Sequence, residues 1–113
     1  MDIKNLATAD FAVLELKDPN TGLKSDATIT LYSHLSKQFN KARKEVMKLT
    51  SLDETFFQIE LLVKITKEIK GFTENGEPLE SNEENIRKIY QSNYTRDQAD
   101  MFISSISNFF LKA

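Results

Sequence analysis

Alternation of apolar and polar positions in the first third of the chain predicts two β-strands. Residues 11–16 read Phe-Ala-Val-Leu-Glu-Leu, and residues 27–31 read Ala-Thr-Ile-Thr-Leu with both threonines on one face. Such alternation with β-branched residues is typical of half-buried strands. Pro19 favours a turn between the two runs and Gly22 can adopt a positive φ, so we expect an antiparallel hairpin. Because an isolated hairpin is marginally stable, its apolar face must pack on helices or on another subunit.

The period changes to that of a helix beyond residue 33. The apolar positions of the first predicted helix form a single stripe: Leu35, Phe39, Ala42, Val46 and Leu49. A second helix follows a capping box at residues 51–54, is apolar on nearly all sides over residues 56–69, and is expected to end at Gly71. Helices that are apolar all round are buried by neighbours on several sides. We therefore predict that the second helix is central and buried.

Two further capping boxes, at residues 81–84 and 95–98, predict two shorter helices. The last of these helices carries a broad apolar face made by Ala99, Phe102, Ile103, Ile106, Phe109 and Phe110. The complete pattern predicts one α+β domain over residues 1–113 that is mainly α. In this prediction an N-terminal arm and β-hairpin (residues 1–32) precede a helical part with four helices (residues 33–113).

Composition and charge narrow the class of protein. A chain of 113 residues suits a single core. The net charge of −2 gives no global attraction for nucleic acid or for an anionic membrane, so neither is a predicted partner. The sequence has no cysteine, no apolar run long enough to span a bilayer and no secretory signal pattern at its start. These features favour a small intracellular protein.

Reactive chemistry is sparse in the sequence. His34 is the only histidine, so a metal site would need carboxylates alone, and no acidic cluster has the spacing of a calcium loop. Asp53 with Glu54, and Glu83 with Glu84, lie in predicted first helical turns, where acidic side chains complement the helix dipole. The glycines are too dispersed for a phosphate-binding loop. We predict no catalytic, cofactor-binding or metal-binding residues and no enzyme activity.

The aromatic side chains near the end of the sequence allow two interpretations. Phe109 and Phe110 are both buried if the last helix docks on the central one, whereas part of this face contacts another chain if they are not. Apolar surface that one small domain cannot cover commonly marks an interface. The candidate protein-contact residues are therefore Met101, Phe102, Ile106, Phe109 and Phe110.

The order of elements also resembles that of a known family. The positions that carry the resemblance lie in the hairpin, the first helix, the crossover and the last segment: Asp18, Gly22, Asp26, Ala27, Thr28, Ile29, Tyr32, Ser36, Lys41, Ala42, Gly71, Asn75, Gly76, Pro78, Leu79, Glu84, Asn85, Phe109 and Phe110. Across residues 11–111 the chain resembles the small tail assembly chaperones of long-tailed bacteriophages. The family often has a tryptophan near the end of its central helix, whereas this chain has Phe72 close to that place.

The resemblance implies a non-catalytic function. Tail assembly chaperones bind the tape measure protein and keep it soluble before the tail tube polymerises around it. The family implies a homo-oligomer, a frameshift-extended form of the same protein, a location in the host cell cytoplasm and absence from the mature virion. Two other classes stay open: a structural tail or connector protein retained in the virion, and a small helical DNA-binding regulator. The regulator would use the lysine stripe of the first helix, Lys37, Lys41, Lys44 and Lys48.

Overall fold

The structure is a computed structural model that describes residues 1–50 and 53–111. It has an α+β fold with an N-terminal antiparallel sheet and four α-helices, as predicted at that level. The elements in chain order are β1 (Phe11–Lys17), β2 (Lys24–Tyr32), α1 (Lys37–Val46), α2 (Glu54–Ile65), β3 (Thr66–Lys70), β4 (Thr73–Glu74), β5 (Glu77–Pro78), α3 (Glu83–Ile89) and α4 (Asn93–Ser104). Short 3-10 helices cover Ile3–Leu6 and Ile106–Phe109.

The predicted hairpin is confirmed, and the structure gives its register, which the long loop between the strands left open in the sequence. Leu14 lies opposite Ile29, and both side chains are buried on the inner face of the sheet. The turn uses Gly22 at a φ of 71°, and the Gly22 N–H donates to the carbonyl oxygen of Asp18 at 2.8 Å. The Asp18 carboxylate accepts from the next-but-one N–H, that of Asn20, at 2.7 Å. This is an Asx-type turn of the kind that aspartate and glycine favour.

A third strand replaces the last turn of the predicted second helix. The helix ends at Ile65 rather than near residue 69, and β3 continues from it and pairs antiparallel with β2, so that Ile69 lies opposite Ile29. Thr66 has an extended backbone, and its hydroxyl donates to the Leu62 carbonyl at 2.6 Å, which satisfies one free carbonyl of the last turn. The prediction of a helix that continues to Ile69 and ends at Gly71 is therefore wrong.

The helix α2 is buried along one side rather than all round. Its buried apolar side chains are Ile59, Leu62, Val63 and Ile65. The helix packs against α1, α3 and α4. Phe56, in the first turn, is exposed and stacks edge-on against the half-buried Phe57 at a centroid distance of 6.0 Å. The apolar first turn therefore contributes surface as well as core.

Two helix starts differ from the predicted capping boxes. Asn82 rather than Ser81 caps α3 and accepts from the Asn85 N–H at 2.9 Å, while the Ser81 hydroxyl accepts from the Ile69 N–H at 2.9 Å and ties the segment to β3. Ser92 caps α4, three residues before the predicted position. Asp53 caps α2, and the rest of that predicted box, residues 51–52, lies outside the described residues. Local side-chain spacing locates these helices but not their first residues.

The corner between α3 and α4 is held by polar groups inside the core. The buried Tyr90 hydroxyl lies 2.6 Å from the Thr66 hydroxyl, and burial raises the pKa of the Tyr90 hydroxyl. The buried guanidinium of Arg96 donates to the carbonyl oxygens of Tyr90 at 2.7 Å and Gln91 at 3.0 Å. A buried cation is tolerable only when it is hydrogen-bonded in this way. These bonds join the end of α3 to the start of α4.

Candidate protein-binding surfaces

The helix α4 ends at Ser104, so the predicted face of one continuous last helix is interrupted. The Ser104 hydroxyl donates to the Asp100 carbonyl at 2.7 Å, and the Asn108 side-chain amide donates to the Phe102 carbonyl at 2.9 Å. Serine and asparagine side chains compete in this way with the backbone bonds that would extend a helix. The chain then turns through Ile106–Phe109.

The structure separates the five predicted contact residues. Met101 is 70% exposed on α4, and Phe102 and Ile106 are half-buried. Phe109 is only 1% exposed, and its ring meets that of Phe102 edge-on at a centroid distance of 5.5 Å. Phe110 is 42% exposed. Of the two interpretations left open by the sequence, burial applies to Phe109 and exposure to Phe110.

A strand-like pairing outside the main sheet holds Phe109 in the core. The Ala9 N–H donates to the Phe109 carbonyl at 2.6 Å, the Leu111 N–H donates to the Ala7 carbonyl at 3.0 Å, and residues 8 and 110 form an antiparallel bridge. The last segment therefore runs along the edge of the sheet beside the chain that leads into β1. Sequence reasoning missed this contact because residues 7–9 have no periodic pattern and residues 109–110 fit the apolar face of a predicted helix.

Beyond this pairing, the edge of β1 is open. Residues of an antiparallel strand alternate between those that bond to the neighbouring strand and those that face away from it. The Ser33 N–H donates to the Asp10 carbonyl at 2.7 Å, which shows that the even-numbered residues at this end bond towards β2. The N–H and C=O groups of Phe11, Val13 and Glu15 consequently point away from β2. The order of the sheet is β1-β2-β3, so they point to its edge.

Both ends of this open edge are closed by other parts of the chain. At one end Ala9, an odd-numbered residue, bonds outward to Phe109. At the other end the Lys17 carbonyl accepts from the Tyr94 hydroxyl at 2.8 Å. Among the described residues, no donor or acceptor reaches the outward backbone groups between these two points. The open length is residues 11–15.

A cleft of about 610 Å³ runs along the open edge, and we call it the edge cleft. Its walls include Val13, Leu14 and Glu15 of β1 and, from the other side, Phe102, Asn108 and Phe110. Two of the sequence-predicted contact residues, Phe102 and Phe110, are thus brought together here. The cleft combines aromatic side chains with unpaired backbone groups, and both can bind another polypeptide.

The charged side chains of the edge cleft lie at the end near Tyr94. Lys24 and Glu15 form an ion pair at 3.1 Å. Lys17 also lines the cleft and has no acidic partner among the residues that the structure describes. This end of the cleft therefore carries one uncompensated positive charge.

A second apolar surface, which we call the helical groove, lies between α1 and α2. It has a volume of about 300 Å³ and is lined by Arg43, Val46, Met47, Phe57 and Leu61, predominantly through apolar atoms. Met47, immediately after α1, is 74% exposed. Nothing in sequence reasoning placed these residues together, because the groove depends on how α1 crosses α2.

Arg43 is the basic residue that lines the helical groove, and further basic side chains lie along α1 and just after it. Glu45 is the acidic residue of α1, and it pairs with Lys64 of α2 at 3.2 Å. In the described part of the chain no acidic side chain pairs with the other cations of this region: Lys37, Lys41, Arg43, Lys44 and Lys48. The lining of the apolar groove consequently includes one cation that is unpaired within the described residues, Arg43.

Several titratable side chains have structural partners within the fold. The His34 Nδ1 donates to the Ile103 carbonyl at 2.7 Å, near the end of α4. Asp100 accepts a bond from the Gln58 side chain, and burial raises the pKa of the Asp100 carboxyl. Glu83, in the first turn of α3, pairs with Arg87 at 3.1 Å. Among the described residues there is no group of three or more histidine, cysteine, aspartate or glutamate side chains that could hold a metal ion.

None of the helices in the described ranges combines the length and the hydropathy needed to cross a bilayer. Comparisons with protein-family models, curated proteins and solved structures found no match to this chain. The resemblance to phage tail assembly chaperones therefore stays a prediction.

Proposed function

We propose that the chain is a non-catalytic assembly chaperone of the phage tail type. It binds helical segments of a tape measure protein and keeps that client soluble before the tail tube polymerises. The observation that supports this proposal most directly is the helical groove, which is open to solvent although its lining is predominantly apolar. Exposed apolar grooves on small domains commonly bind other proteins.

The groove suits one face of an amphipathic helix. Such a helix inserts apolar anchors at helical spacing into a groove between two host helices. Met47 is unbranched and polarizable, so it can adapt to several client registers, while Phe57 offers a rigid aromatic wall. The Arg43 guanidinium in the lining, unpaired among the described residues, favours clients with an acidic residue beside their apolar anchors. We further infer that α2 acts as the central helix of the domain, since it forms one wall of the groove and packs against three other helices.

In this proposal the protein acts as a homo-oligomer in the host cell cytoplasm, together with a frameshift-extended form of itself, and is left out of the mature virion. Several weak grooves on one oligomer would engage a long client at many points. The second and later contacts would then be intramolecular, which raises avidity without a stronger single site.

Two methionines of similar exposure allow a matched test. Met47 lies in the helical groove, whereas Met101 lies on α4, outside that groove, in the sequence-predicted contact set. The tape measure protein is co-expressed with Met47→Asp or Met101→Asp, and its soluble fraction is measured after ultracentrifugation. We expect Met47→Asp to lose most of the client and Met101→Asp to retain it. Loss with Met101→Asp alone would assign binding to the C-terminal face. Retention by both variants, or no solubilisation by the parent protein, would contradict the proposal.

The unpaired cations of α1 favour one alternative, a small DNA-binding regulator. Binding of this kind falls steeply with salt concentration because lysines release counterions from the phosphates. A titration of duplex DNA at two salt concentrations separates it from client binding. The other alternative, a structural tail or connector protein, requires the chain to be present in purified particles.

A further inference from the structure

We propose that the edge cleft binds an extended segment of roughly five residues from a partner polypeptide, which adds to the sheet as a new strand beside β1. This surface is separate from the helical groove. The inference therefore does not depend on whether the chain is a tail assembly chaperone.

The hydrogen-bonding groups of β1 provide the first reason. Phe11, Val13 and Glu15 each direct an N–H and a C=O to the open edge, as the alternation along the strand requires. Open edges are templates for pairing with another chain, and natural proteins usually cover or shorten them. Here both ends of the edge are covered and the middle is left open beside a cleft.

Continuity with an internal pairing provides the second reason. Residues 109–111 already lie against residues 7–9 as a short extra strand at this edge. Going back along the chain, that segment leaves the edge at Phe109 and enters a 3-10 helix. A partner strand would continue along the edge from the point where the chain's own segment departs. The side chains of Phe102 and Phe110 would then contact its apolar residues.

The same geometry disfavours a second folded copy as the occupant. If the β1 strands of two copies paired antiparallel with Val13 opposite Val13, Lys17 of one copy would lie opposite Ala9 of the other. That position is already filled, because the Ala9 N–H donates to Phe109. A folded copy brings the whole of β1, seven residues, to an edge that is open over residues 11–15 only. The occupant must therefore be a flexible segment whose flanks leave the edge on both sides.

The lining of the cleft defines the chemistry of the segment. Alternate residues should be apolar, since one face of the added strand would lie against Phe102 and Phe110. An acidic residue should lie at the end near Tyr94, which is the N-terminal end of an antiparallel segment, because Lys17 lies there without a described acidic partner. We expect β-branched residues in such a segment, as they favour the extended conformation.

The probe for this proposal is an acetylated, amidated peptide that begins with aspartate and continues with alternating valine and threonine. In a strand antiparallel to β1, as residues 109–111 are to residues 7–9, this aspartate lies near Lys17. In a titration followed by two-dimensional amide NMR, we expect the amides of Phe11, Val13 and Glu15 to shift and to become protected from exchange. The amides of Ala12 and Leu14 already bond to β2 and should change little. Changes confined to the helical groove, or no saturable binding, would overturn the proposal.

Two N-methylated forms of the probe distinguish strand addition from simple apolar binding. One carries N-methyl groups on its valines and the other on its threonines. Only the valine N–H groups or only the threonine N–H groups can face β1 in an added strand. The form methylated on the facing groups should bind at least about tenfold more weakly, and the other form should bind like the parent peptide. Equal binding by both forms would contradict a backbone ladder.

The protein offers a matched pair of variants at Val13. Proline at an edge position removes an N–H that does not bond to β2, so Val13→Pro should keep the fold and lose the probe by at least about tenfold. Val13→Thr retains the N–H and should bind as the parent protein does. A folded Val13→Pro that binds normally overturns the proposal, and if this variant does not fold, the N-methylated pair decides. A dimer of the parent protein that Val13→Pro abolishes would assign the edge to a second copy and would also overturn it.

Discussion

Gly71 lies so close to Asp26 that a Cβ added to the glycine would be 2.2 Å from the Asp26 carbonyl oxygen. Gly71 also has a φ of 78°, and Gly76 shares such a backbone, with a φ of 83°, but has open space around it. Comparing substitutions at these two glycines separates the cost of a left-handed backbone from the cost of a steric clash.

We expect Gly76→Ala to destabilise the protein by about 1–2 kcal/mol, because a side chain disfavours the left-handed conformation. Gly71→Ala should cost about 1–3 kcal/mol more, since backbone atoms must move to admit the methyl group. Urea unfolding of both variants, with equal m-values as the check on two-state behaviour, measures the difference. Equal costs would mean that β3 does not approach Asp26 as described.

Leu62 tests the position of α2 in the core. It is 1% exposed and belongs to the main cluster of buried side chains. Leu62→Ala should reduce the free energy of unfolding by about 2–5 kcal/mol through lost burial and a residual cavity. The exposed Leu35, changed to alanine, is the control and should stay within about 0.5 kcal/mol. A loss below about 0.5 kcal/mol for Leu62→Ala would mean that α2 is misplaced.

Adjacent phenylalanines should respond differently to truncation. Phe109→Ala should cost about 3–5 kcal/mol because the ring is buried against Phe102. Phe110→Ala should cost roughly half of that or less, since much of its ring is already in water. Thermal unfolding of the two single variants measures both effects. If the two costs are equal, the pairing of residues 7–9 with residues 109–111 is not the arrangement in solution.

The stability should depend on pH through Asp100. Burial raises the pKa of its carboxyl, with the bond from Gln58 opposing the shift. A carboxyl with a raised pKa binds more protons folded than unfolded, so stability falls as pH rises from its unfolded pKa, about 3.9, through its folded pKa. Asp100→Asn removes this loss and can still accept from Gln58. In urea unfolding we expect the stability of Asp100→Asn relative to the parent to be greater at pH 7 than at pH 3. An equal difference in unfolding free energy at the two pH values would contradict this prediction.

Self-association is expected from the apolar surface. Exposed apolar side chains occur in the N-terminal arm at Met1, Ile3 and Leu6, on either side of α1 at Leu35 and Met47, and on α4 at Met101. Surface of this kind commonly marks contacts between proteins. Sedimentation velocity at micromolar concentration should show species heavier than a monomer. A clean monomer across that range, without a partner, would count against assembly.

Local signals determined much of this fold. The alternation of residues 11–16 and 27–31, with a turn at Gly22, sufficed to predict the hairpin and the two faces of its strands. The loop is too long to give the register, so the pairing of Leu14 with Ile29 came from the structure. The helix period and the nearby capping residues sufficed for the existence of four helices. Their first residues shifted, since several serines and asparagines compete for each cap and only the packed chain selects one.

Contacts between distant segments decided the rest. Ile69 fits the apolar pattern of a continuing helix equally well, but β2 has a second edge whose N–H and C=O groups need partners, and residues 66–70 supply them as a strand. The neighbouring Phe109 and Phe110 differ in burial because residues 109–111 pair with residues 7–9, about a hundred positions away in the chain. That pairing also leaves residues 11–15 open at the edge of β1. No local pattern in the sequence predicts this difference in burial, since it depends on the contact between residues 7–9 and residues 109–111.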